Sequence, residues 1–436
     1  MALAAIRGDN RRGKTLLFLF CCALAGVMPH WLDPSTILFP AIFLVAVLGS
    51  YGLKIVLIDA NKSFESFNID SEIKDKLSDL QSVDVLVSVR DEENVVERLI
   101  LKLQEIRYPQ DKIKFWIIDD GSKDNTPLLL NKLSNKFDNI NILSRSISSG
   151  GKSGALNFAL QNVNSEWIFV LDADAQFDQD IFLRIIPYAK DHGFSVLQLR
   201  KAVSNANRNL LTCCQAMEMA MDLVIQQGRF GGGGISELRG NGQLIRRDLI
   251  DQCGGFNEDT VTDDLDLSFR LLFAKASVGI VSNPPVQEEA VETIPGLWRQ
   301  RKRWAEGGLQ RFFDYWSFLT SNKLNIRKRL DITAFFLLQY ALPVVSFFDV
   351  LVSLLRHSLP AFWPLSLTAF SISAIAYFKG CRRKVEGPSI PKPNLLRLII
   401  SIIYLAHWFV VIPWVTFVMA FRPKQFIWRK TIHKGN

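Results

Sequence analysis

The strongest constraint on this chain of 436 residues is where its charge-free stretches fall. Residues 15–32 and 35–53 contain no Asp, Glu, Lys or Arg and are parted only by Asp33 and Pro34. Each approaches the ~20 residues that an α-helix needs to cross a hydrocarbon core, so the pair predicts a transmembrane hairpin. A cleaved signal peptide is the competing reading, but Pro29, His30 and Trp31 stand where small residues would precede a cleavage site. Apolar stretches return at 332–355, 357–378 and 398–421, interrupted only by Asp349 and Arg356. The expected order is an N-terminal hairpin over 1–58, a polar domain over 59–330, C-terminal transmembrane helices over 331–421 and a basic tail over 422–436.

The net charge of +8 sits in short segments. Residues 1–14 carry four Arg or Lys against one Asp, 379–394 five against one Glu, and 422–436 five against none. The remainder is acidic in balance, which argues against a nucleic-acid-binding face. The positive-inside rule puts the N-terminus in the cytoplasm, and a hairpin returns the chain there, so the middle domain is expected to be cytoplasmic. Five full crossings would export the basic tail against the same rule. One of the last three segments is therefore expected to be re-entrant or interfacial, broken at Pro343, Pro364 or Pro413. Asp349, an ionisable group inside an apolar run, reads either as functional or as merely snorkelling near a helix end, and no role is assigned to it. Six Cys without a C-x-x-C pair and five scattered His argue against zinc and against a disulfide framework.

The middle domain alternates strand and helix signals. Short apolar runs at 84–89, 114–119, 140–143 and 167–171 alternate with helical patterns at 92–104, 125–137 and 152–163. This is the signature of an α/β fold with a mainly parallel sheet covered on both faces, whose ligands collect at the carboxyl ends of the strands. Gly231 to Gly234 is the one flexible run and suits a mobile loop.

Both acidic clusters of this first half end strands. Asp172 and Asp174 flank one residue after an apolar run, so both can face one hard cation, Mg2+ or Mn2+, completed by diphosphate oxygens and water; a solvated acidic turn is the alternative. Asp119 and Asp120 close the preceding long strand, where they either accept hydrogen bonds from a nucleoside or form an Asx turn. Ser148 to Gly154 is Gly-rich, opens a helix and carries Lys152, so it resembles a phosphate cradle without the Walker A spacing. Asp263 and Asp264 open an amphipathic helix, either as caps or as a general base. Gln300, Arg301, Lys302, Arg303 and Trp304 set three cations beside an indole on a helix over about 295–318, suited to a diphosphate, a sugar or an anionic lipid surface.

Taken in order, these motifs resemble the membrane-bound, inverting glycosyltransferases of family two, which have a GT-A fold and include cellulose and hyaluronan synthases. The resemblance runs over about residues 83–320. It implies that Asp119 and Asp120 contact the uridine with Lys152 nearby. Asp172 and Asp174 would hold the diphosphate through the metal, Asp174 more directly. Asp264 would be the catalytic base supported by Asp263, where the family often has Glu, and Gln300, Arg303 and Trp304 would bind diphosphate and acceptor. More narrowly, the strings 262–267 and 300–311 resemble cyanobacterial glucolipid synthases that move glucose from UDP-glucose to diacylglycerol. That likeness implies a multi-pass protein of the plasma or thylakoid membrane that contacts membrane lipid and not nucleic acid. A processive polysaccharide synthase and a non-catalytic nucleotide-sugar-binding protein are the alternatives.

Overall fold

The computed structural model describes residues 10–58 and 80–422. The start of the expected middle domain (59–79) and the basic tail (423–436) lie outside the described residues, as do residues 1–9. Two apolar helices, α1 (Arg11–Val27) and α2 (Pro34–Leu57), lead into a seven-stranded sheet. Its strands are β1 (Val83–Val89), β2 (Ile113–Asp119), β3 (Ile140–Ser144), β4 (Trp167–Leu171), β5 (Val196–Val203), β6 (Gln243–Arg246) and β7 (Val278–Glu288). They lie in the order β3-β2-β1-β4-β6-β5-β7. All neighbours pair in parallel except those of β6, which runs antiparallel to both β4 and β5.

Helices α3 (Val96–Gln104), α4 (Thr126–Ser134), α5 (Gly151–Leu160) and α6 (Ile181–Asp191) cross between the first five strands. The four apolar runs read as strands are β1 to β4, each within two residues of its expected ends. Two cores cover the two faces. One holds Val85, Val87, Phe115, Phe169 and Phe182, the other Leu86, Ile118, Leu156, Ile168 and Val170. Successive residues of β1 alternate between them, as the two-residue repeat of a strand requires.

The second half builds outwards from the sheet. Helix α7 (Leu210–Gly231) is capped by Asn209, whose side chain accepts from the Thr212 amide, and is followed by α8 (Arg247–Cys253), α9 (Asp263–Phe273) and α10 (Ile294–Asp314). The described residues close with α11 (Ile326–Phe336), α12 (Leu342–Arg356), α13 (Trp363–Cys381), α14 (Leu395–Leu405) and α15 (Trp408–Phe421). Among the described residues four helical stretches have the length and apolarity to cross a membrane: 11–31, 39–57, 326–356 and 395–421. They flank the α/β domain as the sequence implies.

Three contacts order these helices. His30, in the turn between α1 and α2, bonds Asp349 of α12 at 2.8 Å and Ser358 at 3.3 Å. At the other end Lys379 donates to the carbonyl of Val56 at 2.6 Å. Arg12, at the start of α1, donates to Ala420 at the end of α15 at 3.2 Å. Asp349 does not snorkel. It is buried, and its carboxylate also accepts from the amides of Ala361 and Phe362, both at 2.8 Å, so it staples the turn between α12 and α13 to the hairpin.

The glycine run is likewise not a loose loop. Gly234 abuts the Asp331 carboxylate with no room for a Cβ, and the neighbouring Ile235 amide donates to that carboxylate at 3.2 Å. Asp331 also pairs with Arg229 at 2.9 Å, and Arg229 with Glu237 at 3.1 Å. Glu237 is fully buried and meets Arg311 at 3.0 Å and Arg239 at 3.2 Å as well. Burial would push its carboxyl up, but the three guanidiniums, Arg311 foremost, hold it down at about 2. The stability this group contributes is therefore present above its ordinary value of 4.5 and is lost as pH falls towards about 2. Glu237→Gln leaves three arginines without their shared counter-charge. It is expected to cost about 3–5 kcal/mol and to lower Tm markedly in detergent, as read by thermal unfolding at pH 7.

Candidate active site

The carboxyl ends of the strands open onto a cavity of about 490 Å³ that reaches from the sheet into the membrane helices. Lys152, Asp172, Asp174, Asp263, Asp264, Gln300, Arg303 and Trp304 all line it, although the first and last are 152 positions apart in sequence. Asp172 follows β4, and the Asn241 side chain accepts from its amide at 3.1 Å. Lys152, in the first turn of α5, donates to the Asp172 carboxylate at 2.5 Å and to the Gly240 carbonyl at 3.3 Å. Asp174 is buried and accepts from the Glu289 amide at 2.8 Å, so Asp172 is the more open carboxylate of the pair.

Gly240 joins this cluster to α9. It holds φ +87°, where L side chains are strained, and a Cβ there would stand 3.4 Å from Asp264 Oδ2. The chain thus lays backbone against the carboxylate that opens α9. Burial, then repulsion from Asp263, pushes the Asp264 carboxyl up to about 6, partly offset by Lys152. The Asp172 carboxyl goes the other way: burial opposes ionisation, but Lys152, with Lys201 and Arg303 behind it, outweighs burial and holds it low. The Lys152 ammonium, penalised by burial, is raised by Asp172, Asp263 and Asp264. Two carboxylates with diverging affinities for a proton in one cleft are the arrangement of an acid–base site. Asp263 Oδ2 and Gln300 Oε1 are buried with no hydrogen-bond partner, so polar capacity remains for a ligand.

Asp119 and Asp120 do not line this cavity. They end β2, which β1 separates from β4. Asp120 is buried and engaged by Arg145 at 2.8 Å and Ser148 at 2.7 Å; Ser148 in turn accepts from Arg90, which does line the cavity, at 2.8 Å. Asp119 accepts from the Ser122 amide at 3.1 Å, as in an Asx turn. The bonds of Lys152 go to Asp172 and the Gly240 carbonyl.

The basic segment divides. Arg303 and Trp304 face the cavity, while Lys302 lies over Trp298. Arg301 is fully buried, pairs with Glu218 at 2.5 Å, and has its guanidinium 4.1 Å from the Trp304 ring. It is a strut joining α10 to α7. Helix α10 packs on both sides, with Gly307 against Thr262 of the catalytic edge and Gly308 against Tyr340 of the membrane bundle. Sequence reasoning did not single out Asn241, Lys201, Glu218, Asp222 or Gln226. None of them falls in a motif; packing brings Lys201, Glu218, Asp222 and Gln226 to the cavity and Asn241 to the Asp172 amide.

Because the Asp264 carboxyl lies above its ordinary value of 3.8, the stability it contributes is complete below that value and is lost as pH rises through about 6. Asp264→Asn is therefore expected to gain about 1–3 kcal/mol at pH 8 without divalent cation and to show no such gain at pH 4, measured as Tm at the two pH values.

The model of "Glycosyl transferase family 2" matches residues 84–254. A β-monoglucosyldiacylglycerol synthase from Nostoc sp. is 39% identical over 98% of this chain and 90% of its own length. The enzyme of that name from Synechocystis sp. is 42% identical over 80% of this chain and 74% of its own length. Among solved structures, a mannosyltransferase from Pyrobaculum calidifontis in complex with GDP-Man and Mn2+ superposes with a TM-score of 0.58 at 15% identity, covering 91% of this chain and 99% of that one, which shows the GT-A fold. Sheet order, acidic strand ends and these likenesses together place the chain in glycosyltransferase family two, as a membrane-associated hexosyltransferase.

Proposed function

We propose that the protein transfers glucose from UDP-glucose to the hydroxyl of 1,2-diacylglycerol, giving β-monoglucosyldiacylglycerol. One observation carries the reading: the cavity that contains Asp264 is continuous with a region lined by Ile55 of α2, Ile372 of α13 and Phe409 of α15. A water-soluble acceptor has no use for such a wall, whereas a lipid can keep its tails there while its hydroxyl reaches the carboxylates. The relatives named above act, by their names, in making the same product class.

In the proposed step Asp264 removes the proton of the acceptor hydroxyl as that oxygen forms a bond to the anomeric carbon, and the bond to the UDP oxygen breaks. A single displacement inverts the donor's α linkage to β. A base that titrates near 6 is ionised at pH 7 to 8 yet still accepts a proton readily. Asp263 sits beside it and keeps its affinity for the proton high. Lys152 and Arg303 supply positive charge towards the diphosphate, with Gln300 and Trp304 along the same wall; at the neighbouring strand end Asp120 serves the nucleoside through Ser148 and Arg90, and Asp119 shapes that turn through the Ser122 amide.

Among the described residues no group of three or more His, Cys, Asp or Glu is arranged to hold a metal. Asp172 and Asp174 offer a pair of carboxylates, which suits a hard ion such as Mg2+ or Mn2+ that takes its other ligands from diphosphate and water. When bound, such an ion supplies charge neutralisation to the departing diphosphate.

For topology, length and apolarity favour α1, α2, α11–α12 and residues 395–421 as crossings, but the contacts at their ends favour the less apolar α13 as the fourth crossing and residues 395–421 as a re-entrant pair. The turn at His30 meets the turn at Ser358, Lys379 returns to the end of α2, and the end of α15 returns to Arg12 at the start of α1. An even number of crossings puts the catalytic domain and the end of α15 on one side, the cytoplasm by the positive-inside rule.

With labelled UDP-glucose and dioleoylglycerol in detergent, the expected product is a chloroform-soluble monoglucosyl lipid whose formation stops on chelation and resumes with Mg2+ or Mn2+. On the acid side kcat/KM should fall with a midpoint near pH 6. Asp264→Asn should lower kcat by roughly 10²–10⁴ while UDP binding is retained. A water-soluble polymer as product, or near-normal turnover by that variant, would remove the assignment.

A further inference from the structure

Helix α7 carries a polar stripe into an otherwise apolar stretch of the cavity. Glu218, Asp222, Gln226 and Arg229 recur at intervals of four, four and three, which sets them on one face of the helix, and all four line the cavity. Three of them are fully engaged. Glu218 is held by Arg301, Tyr404 and Trp408, Asp222 by two bonds of 3.1 Å from Arg239, and Arg229 by Asp331 and Glu237. Gln226 differs. It is 2% exposed, and neither its Oε1 nor its Nε2 has a hydrogen-bond partner. The adjacent Gln227 points elsewhere, to Ser282 at 2.8 Å.

A buried carboxamide with both halves unsatisfied is costly, and folded proteins rarely keep one without a use. A leucine would fill the same volume on this helix at no such cost. The position of Gln226 indicates what the use is. Asp222, one turn earlier and about 6 Å along the axis, is bonded to Arg239, whose neighbour Gly240 backs onto Asp264. In the other direction Gly228 packs against the Ile55 carbonyl of α2, where the cavity wall is apolar. Gln226 thus lines the same cavity as Asp264 and as Ile55 of the apolar wall. A glycerolipid with its hydroxyl at Asp264 and its tails at Ile55 carries its ester groups between the two.

We propose that Gln226 is a specificity-determining residue for the acceptor: its Nε2 donates a hydrogen bond to an ester carbonyl of the bound glycerolipid, which sets the glycerol hydroxyl against Asp264. The inference rests on the acceptor reading given above and adds to it a preference for acyl over alkyl linkage. An ester presents a carbonyl acceptor, whereas an ether oxygen is a poor one and lies nearer the chain axis.

The full-length protein in dodecyl maltoside micelles, supplied with UDP-glucose, is assayed against dioleoylglycerol and its dialkyl ether analogue. The wild type should favour the ester by roughly tenfold in kcat/KM, the worth of one net hydrogen bond. Gln226→Leu should raise KM for the ester about tenfold, abolish the preference, leave KM for UDP-glucose unchanged and keep or raise Tm, since it removes a buried unsatisfied group. Gln226→Met, similar in volume, repeats the test if the leucine variant is poorly produced. An unchanged ester-to-ether ratio in an active variant, or no preference in the wild type, overturns the role of Gln226 while leaving the transferase assignment standing. Failure of the wild type to glycosylate either lipid removes both.

Discussion

The arginine–carboxylate network around Glu237 is the interaction on which the rest of the architecture depends. Arg229 comes from α7, Arg311 from α10, Asp331 from α11, and Tyr51 of α2 donates to Asp331 at 2.8 Å. Four helices from the two halves of the chain therefore meet at one buried cluster of charge. Such clusters repay their desolvation only when the geometry is good, so a misplaced helix is penalised strongly. The consequence is a fixed relation between the catalytic sheet and the apolar helices, and with it a cavity that runs without a break from one to the other.

That continuity joins two environments with opposite demands. At the sheet edge, carboxylates and Lys152 need water or substrate oxygens around them, and the strand ends present them there because the parallel strands all terminate on one side. At the bundle, Ile55, Ile372 and Phe409 need lipid or a lipid tail. Helix α10 separates and connects the two. Its buried Arg301 ties it to α7, its small residues Gly307 and Gly308 let both neighbours come close, and its Arg303 and Trp304 remain facing the cavity. The basic segment is thus a packed wall of the site and not a helix lying alone on the membrane.

Much of this was legible because local patterns were strong. The four short apolar runs gave the strands of the parallel half, since burial on both faces leaves an uninterrupted apolar signal. The later strands were harder: β5 contains Gln198, Arg200 and Lys201, and β7 contains Pro284 and Pro285, so neither stands out as an apolar run. For Asp349, Arg301 and Gly231 to Gly234 residue type alone points away from the role that the structure gives them. A carboxylate in an apolar run, a cation beside a tryptophan and a glycine run all have common surface roles. Their actual roles depend on partners 12 to more than 300 positions away, such as Ala361 and His30 for Asp349.

The order of motifs and the apolar flanks determined, from sequence alone, a membrane-associated α/β transferase with acidic groups at its strand ends, because strand termination and hydrophobic length are local properties. Which of those groups share a cavity was decided by the tertiary structure. It brought Asp264 to Lys152 and Asp172, left Asp119 and Asp120 beyond β1 and engaged with other partners, and placed Gln226 unpaired in the lining of the cavity. The physical reason is that hydrogen bonding and charge pairing act over a few ångströms of space, and the distance in space between residues far apart in the chain is set only once the helices have packed.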